Sequence, residues 1–347
     1  MAIFNHSEFD NHEQVVFCSD AETGLKAIIA VHSTALGPAV GGCRLWQYES
    51  DEAAVNDVLR LSRGMTYKNA MAGLPLGGGK SVIIGDAKSI KSEALFRAFG
   101  RMVHRLSGSY YSAEDVNITT GDIMTVNKET PYVAGLEGKS GNPAPFTALG
   151  TYRGIKAAAL HKFGSDNLEG KTVAVQGLGS VGFYLCEHLH KEGAKLIVTD
   201  INQDAVQRAV SQFGATAVGL NEIYAVDADI YAPCALGATI NDDTLPQLKV
   251  KVVAGCANNQ LKEARHGEVL REKGILYAPD YVINAGGIIN VASEMRPEGY
   301  SAAESTAKVM AIYDTLLNIF RRADAEGQST SVIADLMAQE IIRRGKR

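Results

Sequence analysis

The chain has 347 residues, 46% of them hydrophobic, which is an ordinary proportion for a globular protein of about two domains. It carries 34 basic and 39 acidic side chains and a formal net charge of -5, so no basic surface for nucleic acid is predicted. No apolar run approaches the ~18 residues that a membrane span requires, and the N-terminal residues lack the pattern of a signal peptide.

The five cysteines are scattered, with no CxxC spacing and no paired histidine. Their odd number and their spacing predict neither a disulfide framework nor a zinc site, and we expect no metal. Free thiols fit a reducing compartment, so we expect a cytoplasmic protein.

In chain order, residues 1–135 are predicted to form an α/β domain without a dinucleotide-binding pattern. Leu25–His32 and Lys80–Ile84 have the short apolar composition of strands. Asp51–Ala72 and Glu93–Leu106 show the three- and four-residue apolar spacing of helices.

Two lysines of this domain stand among apolar residues and glycines. Lys68 falls near the end of the first predicted helix, and Lys80 follows three glycines at the predicted start of a strand. Lysine normally faces solvent, whereas glycines let another backbone or a ligand approach closely. Such surroundings perturb ionisable groups, so both lysines are candidate site residues.

A third candidate is the segment Ser112–Asn117, which follows two tyrosines at a predicted strand end. Its two acidic residues are compatible with an ordinary helix cap. Beside the two lysines they are also candidates for acid/base catalysis.

The stretch GLPLGGGKS approximates the P-loop of nucleotide-binding proteins, and Asp86 would then mimic a magnesium-binding acid. The P-loop template needs glycine where the chain has Leu74, and Pro75 follows. The match is therefore weak, and it predicts ATP binding that depends on Lys80.

Gly135–Pro145 is rich in glycine and proline and is predicted to connect two domains, with a helix over Phe146–His161 after it. The segment Val173–Asp200 then has the full pattern of a dinucleotide-binding unit. A strand over Val173–Gln176 leads into a Gly-x-Gly-x-x-Gly turn and a helical pattern, and a second strand over Leu196–Thr199 ends in an acid.

The three glycines of this turn are Gly177, Gly179 and Gly182. They permit the tight turn, the approach of a pyrophosphate to the helix N-terminus, and close packing of helix on strand. Asp200 comes 21 residues after Gly179, the usual reach of a carboxylate that binds the adenosine ribose. No basic residue follows it until Arg208, so NAD rather than NADP is predicted.

Further strands are predicted at Ile230–Ala232, Val252–Ala254 and Ile275–Tyr277. Their alternation with helices predicts a doubly wound parallel sheet, and the fold class is α/β with two domains. Three loops, Cys234–Gly237, Gly255–Asn259 and Asn284–Gly287, are predicted to follow strand ends and to face the cofactor crevice. Ala303–Ala325 is predicted to be one long helix.

The chain resembles the glutamate, leucine, phenylalanine and valine dehydrogenases, and the leucine enzymes most closely. The resemblance covers nearly the whole chain and rests on nine motifs in the family's order: GPAVGGCR, LSRGMTYKNA, GLPLGGGKSVI, AEDVN, PAPFTALG, GLGSVG, APCALG, ANNQL and NAGGIINV.

The resemblance implies reversible, NAD-dependent oxidative deamination of an L-amino acid to the 2-oxo acid, ammonium and NADH. Lys68 would bind the substrate carboxylate, Lys80 would be the catalytic lysine, and Asp115 would share proton transfer. A lysine base must be neutral, and exclusion of water and a second lysine cation both lower its pKa.

The resemblance also assigns binding residues. Those implied for the substrate are Val40, Gly41, Ala113, Asn259 and Val291, with Glu294 near the entrance. Those implied for NAD are Thr147, Gly177, Leu178, Gly179, Ser180, Val181, Gly182, Asp200, Cys234, Ala235 and Asn258.

The residues around the substrate side chain are apolar and include no basic residue that could bind the γ-carboxylate of glutamate. Leucine, valine and isoleucine are therefore the predicted substrates. Cys43 stands where many leucine enzymes have threonine, which leaves phenylalanine or tryptophan open as the substrate. A non-catalytic NAD-binding sensor is a further alternative.

By resemblance, residues 1–135 with a helical segment at about 326–347 would bind substrate and mediate oligomerisation. Residues 136–325 would bind NAD, and a catalytic cleft would separate the two domains. The resemblance further implies a homo-oligomer, either octamer, hexamer or dimer.

Overall fold

The computed structural model describes residues 3–136, 140–296 and 298–345, and the chain divides into two compact units. Unit 1 comprises Met1–Gly141, Val291–Ser301 and Ala338–Arg347. Unit 2 comprises Asn142–Asn290 and Ala302–Met337. The chain therefore returns to unit 1 twice, and the sequence patterns did not predict the return at Val291–Ser301.

Unit 1 is built on a five-stranded sheet in the order β1-β2-β4-β3-β5. Its strands are β1 (Gln14–Asp20), β2 (Leu25–Ser33), β3 (Ala39–Trp46), β4 (Gly77–Ile84) and β5 (Tyr110–Glu114). Its helices are α1 (Asp51–Met71), α2 (Ala87–Ile90), α3 (Glu93–His104) and α4 (Thr120–Asn127). Strands β1 and β3 were not predicted.

Helix α1 begins at a capping serine, and it packs against the sheet through its apolar side and through a close approach to a glycine. The Ser50 hydroxyl accepts the Ala53 N–H at 3.1 Å and begins the helix. Val58 and its apolar neighbours pack on β2 and β4 in one core cluster. A Cβ at Gly78 of β4 would lie 2.0 Å from the backbone nitrogen of Thr66 in α1, so helix and strand are in direct backbone contact there.

Strand β4 begins at Gly77, so Lys80 lies inside the strand and not at its start as predicted. The prediction was wrong because three glycines carry no apolar pattern. They still belong to the ladder, in which Val40 pairs with Gly78 and Ala30 pairs with Lys80.

Unit 2 contains a six-stranded sheet in the order β11-β10-β9-β6-β7-β8, and every pair of neighbouring strands is parallel. The strands are β6 (Thr172–Gln176), β7 (Lys195–Thr199), β8 (Thr216–Ala217), β9 (Ile230–Pro233), β10 (Val252–Val253) and β11 (Leu276–Tyr277). This is the strand order of doubly wound dinucleotide-binding domains. It confirms the predicted α/β fold class.

The helices that follow the first unit's elements in the chain are α5 (Ala144–Phe163), α6 (Ser180–Lys191), α7 (Gln203–Phe213), α8 (Arg265–Glu272), α9 (Asp280–Ile283), α10 (Gly286–Ala292), α11 (Ala302–Met310), α12 (Ile312–Glu326) and α13 (Thr330–Gly345). None of the described helices is long and apolar enough to cross a membrane. All five cysteines are free thiols, as predicted.

Two sequence predictions in this part of the chain were wrong. The single helix over Ala303–Ala325 is two helices, α11 and α12, with the break at Ala311. Asn284–Gly287 follows the four-residue helix α9 and not a strand end. A helix of one turn is too short to produce a helical pattern in the sequence.

Candidate functional site

Lys80 and Asp115 form an ion pair in unit 1. The Lys80 Nζ lies 3.1 Å from Asp115 Oδ2, with the lysine side chain 6% exposed and the aspartate side chain 24% exposed. Gly42 of β3 makes room for the aspartate, because a Cβ there would lie 2.7 Å from the Cβ of Asp115. The structure thus brings together the two residues that the sequence resemblance named as catalytic.

Burial and the neighbouring charges shift the pKa values of both members of this pair. Burial lowers the pKa of Lys80, Asp115 counteracts it, and Arg44 lowers it further. Burial alone would raise the pKa of Asp115, but Lys80 and Arg44 together hold it below its ordinary value. The lysine is therefore easier to deprotonate than a solvated lysine, while the carboxylate stays ionised.

Arg44 is the site residue that sequence reasoning missed. Its Nε donates to Asp115 Oδ2 at 2.9 Å, and its Nη1 donates to Asp57 Oδ2 at 2.9 Å. The available signal was an arginine at the end of GPAVGGCR, between Cys43 and the apolar residues Leu45 and Trp46. Its partners lie 13 and 71 residues away in the chain, which no local pattern reveals.

Lys68 lies in the last turn of α1 and is half-buried. Two residues before it, Thr66 makes the close backbone approach to Gly78 of β4. The end of α1 that carries Lys68 is therefore held on the strand that carries Lys80.

The residues predicted around the substrate side chain all belong to unit 1. Val40 is buried in β3, Ala113 is half-buried in β5, and Val291 is half-buried in α10. At Gly41 a Cβ would lie 1.8 Å from the carbonyl oxygen of Gly79, so β3 and β4 approach closely there. The Tyr110 hydroxyl donates to the Gly41 carbonyl at 2.7 Å.

Cys43 does not belong with these residues. It packs in the core cluster that contains Leu45 and Phe99, whereas Val82, two residues after Lys80 in β4, packs with α1 in the other cluster. Because strand side chains alternate between faces, Cys43 and Lys80 are on opposite faces of the sheet. Cys43 therefore carries no direct information about the substrate.

Glu294, expected near the entrance of the substrate pocket, binds a backbone segment. Its carboxylate accepts N–H groups of Gly135, Leu136 and Ser140 at 3.1, 3.4 and 3.0 Å. It also accepts the Ser140 hydroxyl. These bonds attach Val291–Ser301 to the rest of unit 1.

In unit 2 the glycine turn has the geometry that dinucleotide binding needs. Gly177 has φ +104, and a Cβ there would lie 2.7 Å from the Cβ of Ala235. A Cβ at Gly182 would lie 2.0 Å from the Gly177 carbonyl oxygen, so α6 packs directly on the turn. Around Gly179 a Cβ would meet nothing within 4 Å, which leaves space for a phosphate at the first residues of α6, Ser180 and Val181.

Asp200 lies at the carboxyl end of β7 beside this turn. Its carboxylate accepts the N–H of Leu178 at 2.5 Å and the N–H of Asn202 at 2.7 Å. The acid is thereby fixed against the glycine turn, at the position where such folds bind a ribose hydroxyl.

The remaining predicted loops meet at the same edge of the parallel sheet. The Asn284 amide donates to Asn258 Oδ1 at 2.7 Å, and the Asn259 carbonyl accepts the Ala238 N–H at 2.7 Å. A Cβ at Gly287 would lie 2.8 Å from the hydroxyl oxygen of Thr147. Contacts with Asn258 and Thr147 thus bring the Asn284–Gly287 segment to the edge, although it does not follow a strand.

The P-loop alternative does not fit the structure. A P-loop joins a strand to a helix, but Lys80 is followed by more strand, to Ile84. Asp86 caps α2 by accepting the Lys88 N–H at 3.0 Å. Neither residue is therefore arranged to bind nucleotide phosphates or magnesium.

Among the described residues, one group has metal-ligating atoms close together: Asp242, Glu263 and His266. Arg265 pairs with both carboxylates, at 2.5 Å to Asp242 and 2.8 Å to Glu263. The His266 Nδ1 accepts the Glu263 N–H at 3.0 Å, which leaves the ring proton on the Nε2 that faces Asp242. The group is an ion-pair cluster around arginine.

Two family models together match nearly the whole chain. The first, described as Glu/Leu/Phe/Val dehydrogenase, dimerisation domain, matches residues 12–136. The second, described as Glutamate/Leucine/Phenylalanine/Valine dehydrogenase, matches residues 144–206 and 198–339. These matches confirm the resemblance seen in the sequence motifs.

Individual relatives match over nearly their full length. The leucine dehydrogenase of Bacillus cereus is 60% identical over 345 residues, which are 99% of this chain and 94% of the relative. The L-tryptophan dehydrogenase of Nostoc punctiforme is 49% identical over 348 residues, which are 100% of this chain and 98% of the relative. A crystal structure of the latter superposes with a TM-score of 0.87 at 48% identity and covers 97% of both chains.

Proposed function

Because the chain belongs to the glutamate/leucine/phenylalanine/valine dehydrogenase family, we propose that it catalyses reversible, NAD-dependent oxidative deamination of branched-chain L-amino acids. The products are the 2-oxo acid, ammonium and NADH. The observation that carries the proposal is the buried Lys80–Asp115 pair, with 3.1 Å between Nζ and Oδ2.

Lys80 acts as the base of the proposed reaction. The substrate amine must lose a proton before Cα can give up a hydride, and the resulting imine must then take up water. Burial lowers the pKa of Lys80, which makes its neutral form accessible for both proton transfers. Asp115 takes part through its hydrogen bond to Lys80 Nζ, while its carboxylate stays ionised and supplies the negative charge that Lys80 and Arg44 share.

Lys68 binds the substrate carboxylate in this proposal. Its position in the last turn of α1, two residues beyond the contact between Thr66 and Gly78, keeps it on the same side of the sheet as Lys80. An ammonium suits this role, because its positive charge attracts a carboxylate. The two lysines thus divide binding and proton transfer between them.

The glycine turn of unit 2 fits NAD. The open space at Gly179 and the uncrowded start of α6 would take the pyrophosphate, and Asp200 would take the adenosine ribose hydroxyls. Ile201, Asn202 and Gln203 follow the acid, and none can pair with a 2′-phosphate. When bound, NAD supplies the hydride acceptor of the reaction.

The other residues proposed to hold NAD are Thr147, Leu178, Ser180, Val181, Cys234, Ala235 and Asn258, and Asn259 is proposed to face either the substrate or the nicotinamide ribose. They are supported by the meeting of their loops at the carboxyl edge of the parallel sheet.

Branched-chain substrates are favoured by apolar side chains of modest size at Val40, Ala113 and Val291. These positions offer no cation to a γ-carboxylate, which disfavours glutamate. An aromatic substrate is the second candidate, because relatives named for tryptophan and phenylalanine are 49% identical. We further propose a homo-oligomer, in keeping with the description of the first family model as a dimerisation domain.

The test is the absorbance of NADH with purified protein, NAD and a panel of L-amino acids at alkaline pH. We expect strong turnover of leucine, valine and isoleucine. Strong turnover of phenylalanine or tryptophan alone would keep the reaction but reassign the pocket. NADH binding without turnover of any amino acid would contradict the proposal and favour a sensor.

A further inference from the structure

We propose that Arg44 is a positioning residue, which holds the Asp115 carboxylate beside Lys80 and keeps that pair charge-balanced. The inference rests on the proposed function, because it assigns Arg44 a part in the same acid/base chemistry. It starts from one oxygen atom: Asp115 Oδ2 lies 2.9 Å from Arg44 Nε and 3.1 Å from Lys80 Nζ.

Arg44 is itself held by α1. Its Nη1 donates to Asp57 Oδ2 at 2.9 Å, and the Tyr48 hydroxyl donates to the same oxygen at 2.7 Å. Asp57 Oδ1 accepts from Arg60 Nη2 at 3.2 Å. The Arg44 guanidinium therefore joins the carboxylates of Asp57 and Asp115 through two separate nitrogens, Nη1 and Nε, whereas a lysine would have a single nitrogen for both.

The arrangement alternates in charge from Lys80 through Asp115 and Arg44 to Asp57. The Arg44 and Asp57 side chains are 21% and 14% exposed, so solvent screens these charges only in part. A carboxylate bonded to Lys80 alone would be free to rotate about its last bond. Bonded to Arg44 as well, Asp115 Oδ2 has a fixed position towards the lysine.

Of the charged and titratable groups that act on the pKa of Lys80, Asp115 and Arg44 lie on its own face of the sheet, and the Cys43 thiol acts from the opposite face. Asp115 favours the protonated lysine, whereas Arg44 opposes it by like charge. Without Arg44 the lysine therefore keeps its proton to a higher pH. Since the reaction needs neutral Lys80, the acid limb of the kcat/KM profile moves to higher pH.

A pocket gives access to Arg44 from solvent. It has a volume of about 760 Å³ and is lined by Arg44, Tyr48, Asp57 and Trp46, among others, but by neither Lys80 nor Asp115. In Arg44→Ala, free guanidinium ion can enter through this pocket and bind between the two carboxylates. The pocket thus makes chemical rescue of the variant possible.

The experiment compares Arg44→Ala with Arg60→Ala. The second variant also removes an arginine that pairs with Asp57, but this arginine does not contact the Lys80–Asp115 pair. In Arg44→Ala we expect the acid limb of the kcat/KM profile to move to higher pH by on the order of one unit, which is the size of shift that a neighbouring charge causes. Millimolar guanidinium should move it back, while Arg60→Ala should keep the wild-type profile. An unchanged profile in folded Arg44→Ala would overturn the inference.

A readout without turnover separates this inference from the proposed function. The rate at which acetic anhydride modifies Lys80, followed by peptide mass spectrometry against pH, reports the ionisation of the lysine directly. No turnover by the wild-type chain overturns the proposed function, whereas an unchanged Lys80 titration in Arg44→Ala overturns the role of Arg44.

Arg44→Lys serves if the alanine variant does not fold. It keeps the positive charge but has one nitrogen in place of the two that bond the carboxylates, so we expect a lower kcat with the acid limb near its wild-type position. A wild-type kcat in Arg44→Lys would show that the guanidinium fork does not position Asp115.

Discussion

Replacing Asp115 by asparagine should destabilise the protein far more than replacing its partner Lys80 by methionine. Asp115→Asn leaves the buried Lys80 without its counter-charge, while the half-buried Arg44 keeps only Asp57. Lys80→Met leaves the carboxylate bonded to Arg44 at 2.9 Å and fills the space with an apolar chain of similar length. The ion-pair geometry thus predicts an asymmetry between the two partners.

Breaking a buried ion pair by removing one partner costs ~3–5 kcal/mol. The Asp115 side chain is 24% exposed, so we expect the lower end, about 3 kcal/mol. Each kcal/mol lowers Tm by roughly 2–4 °C in a protein unit of this size, which gives roughly 6–12 °C for Asp115→Asn. For Lys80→Met we expect less than ~1 kcal/mol, because the Asp115 carboxylate keeps Arg44 as its charged partner and the cost of burying the lysine charge is removed.

The loss in Asp115→Asn should also depend on pH. Burial already lowers the pKa of Lys80, and removal of Asp115 lowers it further. The unfolded chain then binds a proton that the folded variant has lost, so the variant gains stability relative to wild type as pH rises towards the lysine's ordinary value of ~10.4. The assay is scanning calorimetry of both variants at pH 7 and 9.5. The reasoning would be refuted if the two variants lost the same stability. It would also be refuted if the stability loss of Asp115→Asn were the same at pH 7 and pH 9.5.

Four further predictions concern Lys80, Asp200, Gly78 and His32. Lys80→Ala should lower kcat by at least ~100-fold, as for a positioned base, while fluorescence titration shows NADH still bound; near-normal turnover would remove Lys80 from the mechanism. Asp200→Ala should weaken NAD binding and reduce the preference over NADP, and an unchanged KM ratio would place the ribose contact elsewhere. Gly78→Ala should cost ~1–3 kcal/mol because its Cβ would lie 2.0 Å from the α1 backbone, whereas Gly64→Ala, with nothing within 4 Å, should be stabilising by up to ~1 kcal/mol in thermal melts. Burial lowers the pKa of His32 to about 4, so stability should fall from about pH 6.5 towards pH 4, and His32→Gln should flatten that decline.

The features predicted correctly from the sequence are those that a short stretch of chain encodes. The turn at Gly177, Gly179 and Gly182 and the acid at Asp200 lie within one strand–helix–strand unit, so their spacing alone predicts their geometry. The helix over Asp51–Met71 was predicted to within one residue, because its cap and apolar spacing are local. Family motifs then supplied Lys80 and Asp115 as candidates.

Contacts between distant segments were not predictable in this way. The partners of Arg44 lie in α1 and after β5, and the Glu294 carboxylate binds backbone more than 150 residues away. The side of the sheet on which Cys43 lies depends on register within β3, a strand whose glycines hide its alternation. A strand of two residues, such as Thr216–Ala217, is too short to show the alternating pattern by which strands are predicted.

The most direct test of the central claim is a product balance with purified protein, NAD and L-leucine. We predict that 2-oxo acid, ammonium and NADH form in equal amounts, and that leucine deuterated at Cα transfers its deuterium to the reduced cofactor. NADH without ammonium, or no NADH from any aliphatic or aromatic L-amino acid, would contradict the assignment of this chain as an amino-acid dehydrogenase.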